Sequence, residues 1–185
     1  AAARGERASS GSLIDGGAGD DKITSELDLV AGPLDSGSTL AGGIGNDVID
    51  FIVLLDGIGE WITSSILGGP GDDQLSITTE AGSRGFVFID KEIILDGGSG
   101  NDTLTGSATG DTFVLRAGEG TDQLTNFQDG VDHFGLTGGL TFAHLKISAS
   151  GATDTLIEVK AGGEDLAIVQ GVAPALIDAA DFILI

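Results

Sequence analysis

The chain has no cysteine, no methionine and no tyrosine. Without cysteine there is neither a disulfide framework nor thiol chemistry. Without methionine, residue 1 is not a translation start, and the expectation is a removed leader or a piece of a longer chain. No apolar run reaches the roughly 18 residues of a membrane-spanning helix, so no transmembrane segment is expected. The opening "AAARGERASS" shows no signal peptide. Aromatics are few, with eight Phe and one Trp. Basic residues are scarcer still: 8 Lys and Arg stand against 29 Asp and Glu, for a net charge of −21. That deficit excludes a nucleic-acid surface, because phosphate binding needs basic side chains. The excess of negative charge opposes compaction, and a cation partner relieves it.

What is abundant is glycine, 32 of 185 residues, more than twice the usual share of about 7%. It follows no G-X-Y period, so it signals many tight turns rather than a collagen-like chain. Hydrophobic residues make up 41%, enough to bury a core, and the chain is not a disordered acidic tail. A core of Ile, Leu and Val suits thin β-layers.

The glycines fall into repeats. The unit Gly-Gly-x-Gly-[Asp/Asn]-Asp occurs as "GGAGDD" (16–21), "GGIGND" (42–47), "GGPGDD" (68–73) and "GGSGND" (97–102). The starts lie 26, 26 and 29 residues apart. Weaker copies follow at 106–111 ("GSATGD") and 117–122 ("AGEGTD"). Two residues before each full copy stands an aliphatic: Ile14, Leu40, Ile66 and Leu95. Two residues after each final Asp stands another: Ile23, Ile49, Leu75 and Leu104. The same side chain in the same slot of every copy is what a stacked core column requires. Residues 12–104 therefore read as successive coils of a solenoid. Short strands such as "KIT", "DVIDFIV", "QLSITT" and "GFVFID" flank the turns.

Near residue 125 the turn motifs thin out. "HLKIS", "DTLIEV" and "EDLAIVQG" look like antiparallel strands. The division expected is a solenoid over 1–125 and a β-rich C-terminal cap over 126–185. An uncapped end would expose core and unpaired backbone.

Glycines permit crowded or left-handed backbone, so such a turn can aim several carbonyl oxygens at one point, and its last Asp adds a carboxylate. Calcium takes six to eight oxygens at about 2.3–2.6 Å. One turn supplies too few. Two turns stacked at about 4.8 Å can share an ion, which explains why the unit is repeated and why the chain is so acidic.

These units resemble the nonapeptide GGxGxDxUx of RTX (repeats-in-toxin) proteins, a parallel β-helix or β-roll repeat that binds calcium. The tail segments "GEGTDQLTNFQDGVDHFGL", "GGLTFAHLKIS" and "DFILI" resemble the C-terminal region of secreted bacterial members. The resemblance implies an all-β fold, several Ca²⁺ ions and ligands at fixed motif positions. The sixth-position aspartates are Asp21, Asp47, Asp73 and Asp102, with Asp111 and Asp122 from the weaker copies. Second- and fourth-position carbonyls are those of Gly17, Gly19, Gly43, Gly45, Gly69, Gly71, Gly98 and Gly100, with Gly118 and Gly120 from the weaker copy at 117–122. Fifth-position Asp20, Asn46, Asp72 and Asn101 assist, and Asp132 pairs with Asp111 on the opposite edge. The spacing departs from the 18-residue coil of the usual roll. It implies larger coils carrying calcium on one edge, then a short stretch of ordinary roll.

Other chemistry finds little support. His133 and His144 have no Cys partner and no HExxH. GxSxG is absent, and no GK[ST] follows the glycine turns. The carboxylates fall in motif slots or polar loops rather than as a glycosidase pair. "VIDFIVLL" and "FVFIDKEIIL" are apolar on both strand faces, which means either a covered second face or a protein contact such as self-assembly.

The reading is an all-β calcium-binding solenoid, extracellular and not an enzyme, whose partners are calcium and itself. As the resemblance implies, it leaves the cell by a type I route, unfolded in low calcium and folded outside. Three functions stay open: a structural or adhesive matrix protein, the C-terminal module of a larger exported enzyme or toxin, and a sugar- or ice-recognition surface. The last would need aligned Thr-x-Thr rows, which the sequence does not show.

Overall fold

The structure, a computed structural model, describes residues 6–7, 13–29, 37–55, 61–81 and 90–185. Its strands are β1 (Glu6–Arg7), β2 (Leu13–Ala18), β3 (Lys22–Leu29), β4 (Thr39–Ile44), β5 (Val48–Leu55), β6 (Trp61–Pro70), β7 (Gln74–Ala81) and β8 (Asp90–Ser99). There follow β9 (Thr103–Thr105), β10 (Asp111–Leu115), β11 (Asp122–Thr125), β12 (His133–Leu136), β13 (Leu145–Ser150), β14 (Asp154–Val159), β15 (Asp165–Val169) and β16 (Phe182–Leu184). The described helices are three single turns of 3-10 type near the C-terminus. A chain broken by glycine every few residues and rich in Ile, Val and Thr between breaks cannot sustain a longer helix.

The strands alternate between two sheets. One has the order β1-β3-β5-β7-β9-β11-β15-β14-β13, the other β16-β12-β10-β8-β6-β4-β2. From β1 to β12 every pairing is parallel, and each odd–even pair of strands is one coil. This is the parallel β-solenoid, or β-roll, that the repeats implied. The expected antiparallel strands are β13, β14 and β15, which pair as a meander. β15 also continues the first sheet in parallel with β11, and β16 continues the second beside β12. Both layers therefore run on past residue 126.

Register places like on like. Ile23, Ile49, Leu75, Leu104, Leu124 and Val169 form one column. Ile14, Leu40, Ile66, Leu95, Phe113, Phe134 and Phe182 form the facing one. Apart from Ile14 and Phe182, which are half-buried at the two ends, these side chains are buried. Toward the C-terminus the column turns aromatic. Phe127 stacks on Phe134 at 4.4 Å, and Phe182 lies 4.9 Å beyond. Burial of each such side chain contributes about 1.5–3 kcal/mol, so the columns supply the cohesion that the charge opposes.

The register survives unequal coil lengths. Turn starts are spaced by 26, 26 and 29 residues, yet β6 and β8 pair from Trp61–Asp90 to Pro70–Ser99. "VIDFIVLL" is β5. Its inward residues Ile49, Phe51 and Val53 are fully buried, and its outward Val48, Asp50 and Ile52 are half-buried. The "FVFI" part of the other doubly apolar stretch, with most of the expected strand "GFVFID", lies outside the described residues.

Candidate metal centre

Each Gly–Asp turn joins a strand of the second sheet to one of the first, so the turns at 16–21, 42–47, 68–73, 97–102 and 117–122 share one edge. Three ladders bind each to the next. Gly19, Gly45, Gly71 and Gly100 donate their N–H groups to the third-position carbonyls of Ile44, Pro70, Ser99 and Glu119 at 2.7–2.9 Å. Asp21, Asp47 and Asp73 donate theirs to Oδ1 of Asp47, Asp73 and Asp102, each at 2.7 Å. Asp102 does the same to Asp122 at 3.1 Å. Running the other way, Asp20, Asn46, Asp72 and Asn101 each accept through Oδ1 the N–H of the next turn's fifth residue. The fifth position is thus a bracket between turns.

Glycine at positions two and four is required by space as well as by torsion. Gly43, Gly69 and Gly98 have φ of 107°, 112° and 92°. A Cβ on any of them would strike the carbonyl oxygen of Gly17, Gly43 or Gly69 in the turn before. Gly45, Gly71, Gly100 and Gly120 meet Gly19, Gly45, Gly71 and Gly100 in the same way. Two columns of carbonyls are therefore held at close approach along the edge.

The sixth-position carboxylates close the arrangement. Asp47, Asp73 and Asp102 are at most 1% exposed. Their Oδ2 atoms are buried and have no hydrogen-bond partner. Each Oδ2 lies against the first glycine of its own turn, where a Cβ on Gly42, Gly68 or Gly97 would collide with it. A buried ionised oxygen without a donor is strongly unfavourable unless a cation meets it. The oxygens gathered here, carboxylate and peptide carbonyl with no nitrogen or sulfur, suit a hard divalent cation such as calcium. Among the described residues no group of three or more Asp, Glu, His or Cys side chains is placed to hold a metal, so an ion bound here would draw its remaining ligands from the carbonyl columns.

Burial pushes three acids of this edge upward. Asp73 is raised, and Asp102 is raised from its ordinary 3.8 to about 6, in each case chiefly by burial. Asp122 rises to about 7 for the same reason. The N–H of the preceding Asp partly offsets the shift, and neighbouring carboxylates add to it. Because the folded values exceed the unfolded ones, the metal-free fold gains from protonation. That stability is complete below about pH 4 and is lost as pH rises through 6 to 7. In chelator the thermal midpoint is therefore expected to be higher at pH 5 than at pH 8. Calcium, which competes with the protons, should raise the midpoint more at pH 8. A midpoint in chelator that climbs from pH 5 to 8 would contradict this ordering.

The fifth turn differs. Six residues separate Phe113 from Gly120, where four separate Leu95 from Gly100, although Phe113 pairs with Leu95 and Gly120 stacks on Gly100. The extra length bulges outward. Gly118 faces open space rather than the Gly98 carbonyl, and its N–H is taken by Glu164. Arg116 grips Glu119 through two contacts of 2.6 and 2.7 Å and reaches Asp96 at 3.3 Å. Sequence reasoning missed Arg116, Asp96, Glu119 and Glu164, none of which lies at a motif ligand position.

Asp111 and Asp132 lie at the opposite edge, joined by the Asp111 N–H donating to Asp132 Oδ1 at 2.9 Å. Around them stand Ser107, Asn126 and Gln128, also unforeseen. The Ser107 N–H and hydroxyl both donate to Asp111 Oδ2, at 2.6 and 2.8 Å. The Gln128 N–H donates to Asp132 Oδ2 at 2.8 Å.

The RTX calcium-binding nonapeptide repeat matches this sequence in four copies, over residues 12–28 and 94–124. The chain carries RTX repeats. The matched stretches leave out the turns at 42–47 and 68–73, which the ladders above show to be built alike. RTX repeats bind calcium, and the donor set here fits that ion. Among solved structures, the AlgE6R3 subunit of the Azotobacter vinelandii mannuronan C5-epimerase is similar, with 26% identity over 82% of this chain and 85% of that one, at a TM-score of 0.48. The extracellular lipase LipA from Serratia marcescens is similar with 17% identity over 99% of this chain, at a TM-score of 0.47. This chain spans 40% of the lipase's length. No curated protein matches.

Proposed function

We propose that this chain is a secreted structural module, not an enzyme, whose coils are completed by calcium between consecutive Gly–Asp turns. One observation carries the reading: the buried, donorless Oδ2 atoms of Asp47, Asp73 and Asp102 repeat in step with two columns of glycine carbonyls. Calcium would supply the positive charge that these oxygens need. The chain's own part is to hold the oxygens in register through the aliphatic columns. A net charge of −21 disfavours the folded form at low calcium and lets the roughly millimolar calcium outside cells act as the trigger. That dependence favours export as an open chain and folding after release.

A second reading, self-association, is favoured by Val48 and Ile52 on the outward face of β5. One titration addresses both. Calorimetry with calcium should show several ions per chain, with magnesium binding far more weakly. Asp73→Asn should bind fewer ions. Light scattering on the same sample should rise with calcium if the chains assemble and stay flat if they remain single modules. Absence of calcium binding by the unaltered chain would sink the proposal.

A further inference from the structure

We propose that the Asp111–Asp132 pair is a metal-free counterpart of the calcium edge, in which protein N–H and O–H groups stand where the other edge takes an ion. The inference rests on the reading of the first edge as calcium-binding and concerns the edge opposite. The sequence leads one to expect an ion here. "GSATGD" falls inside the matched repeat range of 94–124, and both aspartates are as buried as Asp47, Asp73 and Asp102 of the first edge, at 1% and 0% exposed. They also share the stacking bond, from the N–H of one Asp to Oδ1 of the next.

The difference lies in the remaining oxygens. On the first edge the Oδ2 atoms of Asp47, Asp73 and Asp102 meet no donor. On the second edge Asp111 Oδ2 accepts from Ser107 twice, and Asp132 Oδ2 accepts from the Gln128 N–H. The carbonyls are occupied as well. The Asn126 side-chain amide donates to the carbonyls of Gly106 and Ser107 at 2.8 and 3.0 Å. The Gln128 amide donates to the Ser107 carbonyl at 2.7 Å. Each of these donors turns a partial positive charge toward an oxygen that a cation would need.

The backbone agrees. Positions two and four of all five first-edge turns are glycines at positive φ, from 88° to 144°. Their counterparts in the second-edge turn, Ser107 and Thr109, are not among the positive-φ residues. With Ser at position two, the peptide turns its N–H toward the carboxylate. Asn126 instead takes the left-handed conformation, at φ 64°, and aims its amide across the coil. Calcium could enter only by breaking these bonds. The two edges thus divide: one is left for the ion, the other is closed by the chain itself.

The test is a calcium-loaded crystal of the whole chain, measured at a wavelength where calcium scatters anomalously, together with calcium counts by native mass spectrometry. Anomalous peaks are expected between the Gly–Asp turns and none within reach of Asp111 and Asp132. Asp132→Asn should keep the full calcium count. It should lower the thermal midpoint by the same amount in calcium as in chelator, whereas Asp73→Asn should lose at least one ion. If Asp132→Asn does not fold, Gln128→Ala removes one amide donor and should likewise keep the count. A peak at the second edge, or an ion lost from either second-edge variant, overturns the inference while leaving the first edge intact. No peak on either edge overturns the calcium reading itself, and the contrast with it.

Discussion

Adding EDTA to the calcium-loaded chain is expected to lower its thermal midpoint on the order of 20 °C and to remove much of the β-sheet circular dichroism signal. The size follows from the stacking. The first four turns make three fully registered pairs, in which both glycine columns and the Asp ladder are intact. A ligand that binds only the folded form at a hundredfold excess stabilises it by about 2.7 kcal/mol per site. Three such sites give roughly 8 kcal/mol, comparable to the whole stability of an ordinary domain, about 5–15 kcal/mol. At about 2–4 °C per kcal/mol for a chain of this size, the midpoint falls by tens of degrees. Magnesium should restore little, because it demands a tighter octahedral shell and gives up its waters reluctantly. A midpoint that moves by only a few degrees would mean that glycine stacking and the aliphatic columns hold the turns alone.

The second large effect is expected from one methyl group. Gly71→Ala places a Cβ on the Gly45 carbonyl oxygen at a φ of 144°. Left-handed strain and overpacking together cost about 2–6 kcal/mol, and the two turns must separate to make room. Gly17→Ala is the matched control. Its φ is 95°, but no described atom lies within 4 Å of its Cβ position, so only the torsional part applies. Gly71→Ala should therefore lower the midpoint by roughly 6 °C more than Gly17→Ala and should weaken calcium binding as well. Equal losses would show that torsion, not approach between turns, accounts for glycine at this position.

Much of this arrangement is legible in the sequence. Ile14, Leu40, Ile66 and Leu95 stand at one offset from the motif, and a solenoid turns equal offset into equal position. The columns through the first four turns follow from that, whereas Phe113, Phe134, Phe182 and Val169 join them from positions with no such offset. The ladder of aspartates was legible for the same reason. What escaped was whatever depends on register between unlike segments. Ser107 meets Gln128 across 21 residues, and Asn126 reaches back 20 to Gly106. No local pattern marks an Asn or Gln as the donor to a carbonyl some 20 residues away. The bulge that moves Gly118 out of the stack was hidden too, because "AGEGTD" keeps the motif while the two extra residues precede it. β15 joining β11 is a pairing of distant strands, to which periodicity within a segment is blind.

The unequal spacing of the coils has a consequence for how such a chain can change. β5 and β7 have equal lengths, as do β6 and β8. Five residues (56–60) separate β5 from β6, and eight (82–89) separate β7 from β8. The three additional residues account in full for the step from 26 to 29 between turn starts. The Gly–Asp edge keeps the period, and the opposite edge of these early coils absorbs every departure from it. A lineage can thus lengthen, shorten or replace the connection between these strands without disturbing one contact among the turns. Through the first four turns, length can vary at one end of the strands while the Gly–Asp end stays fixed by geometry.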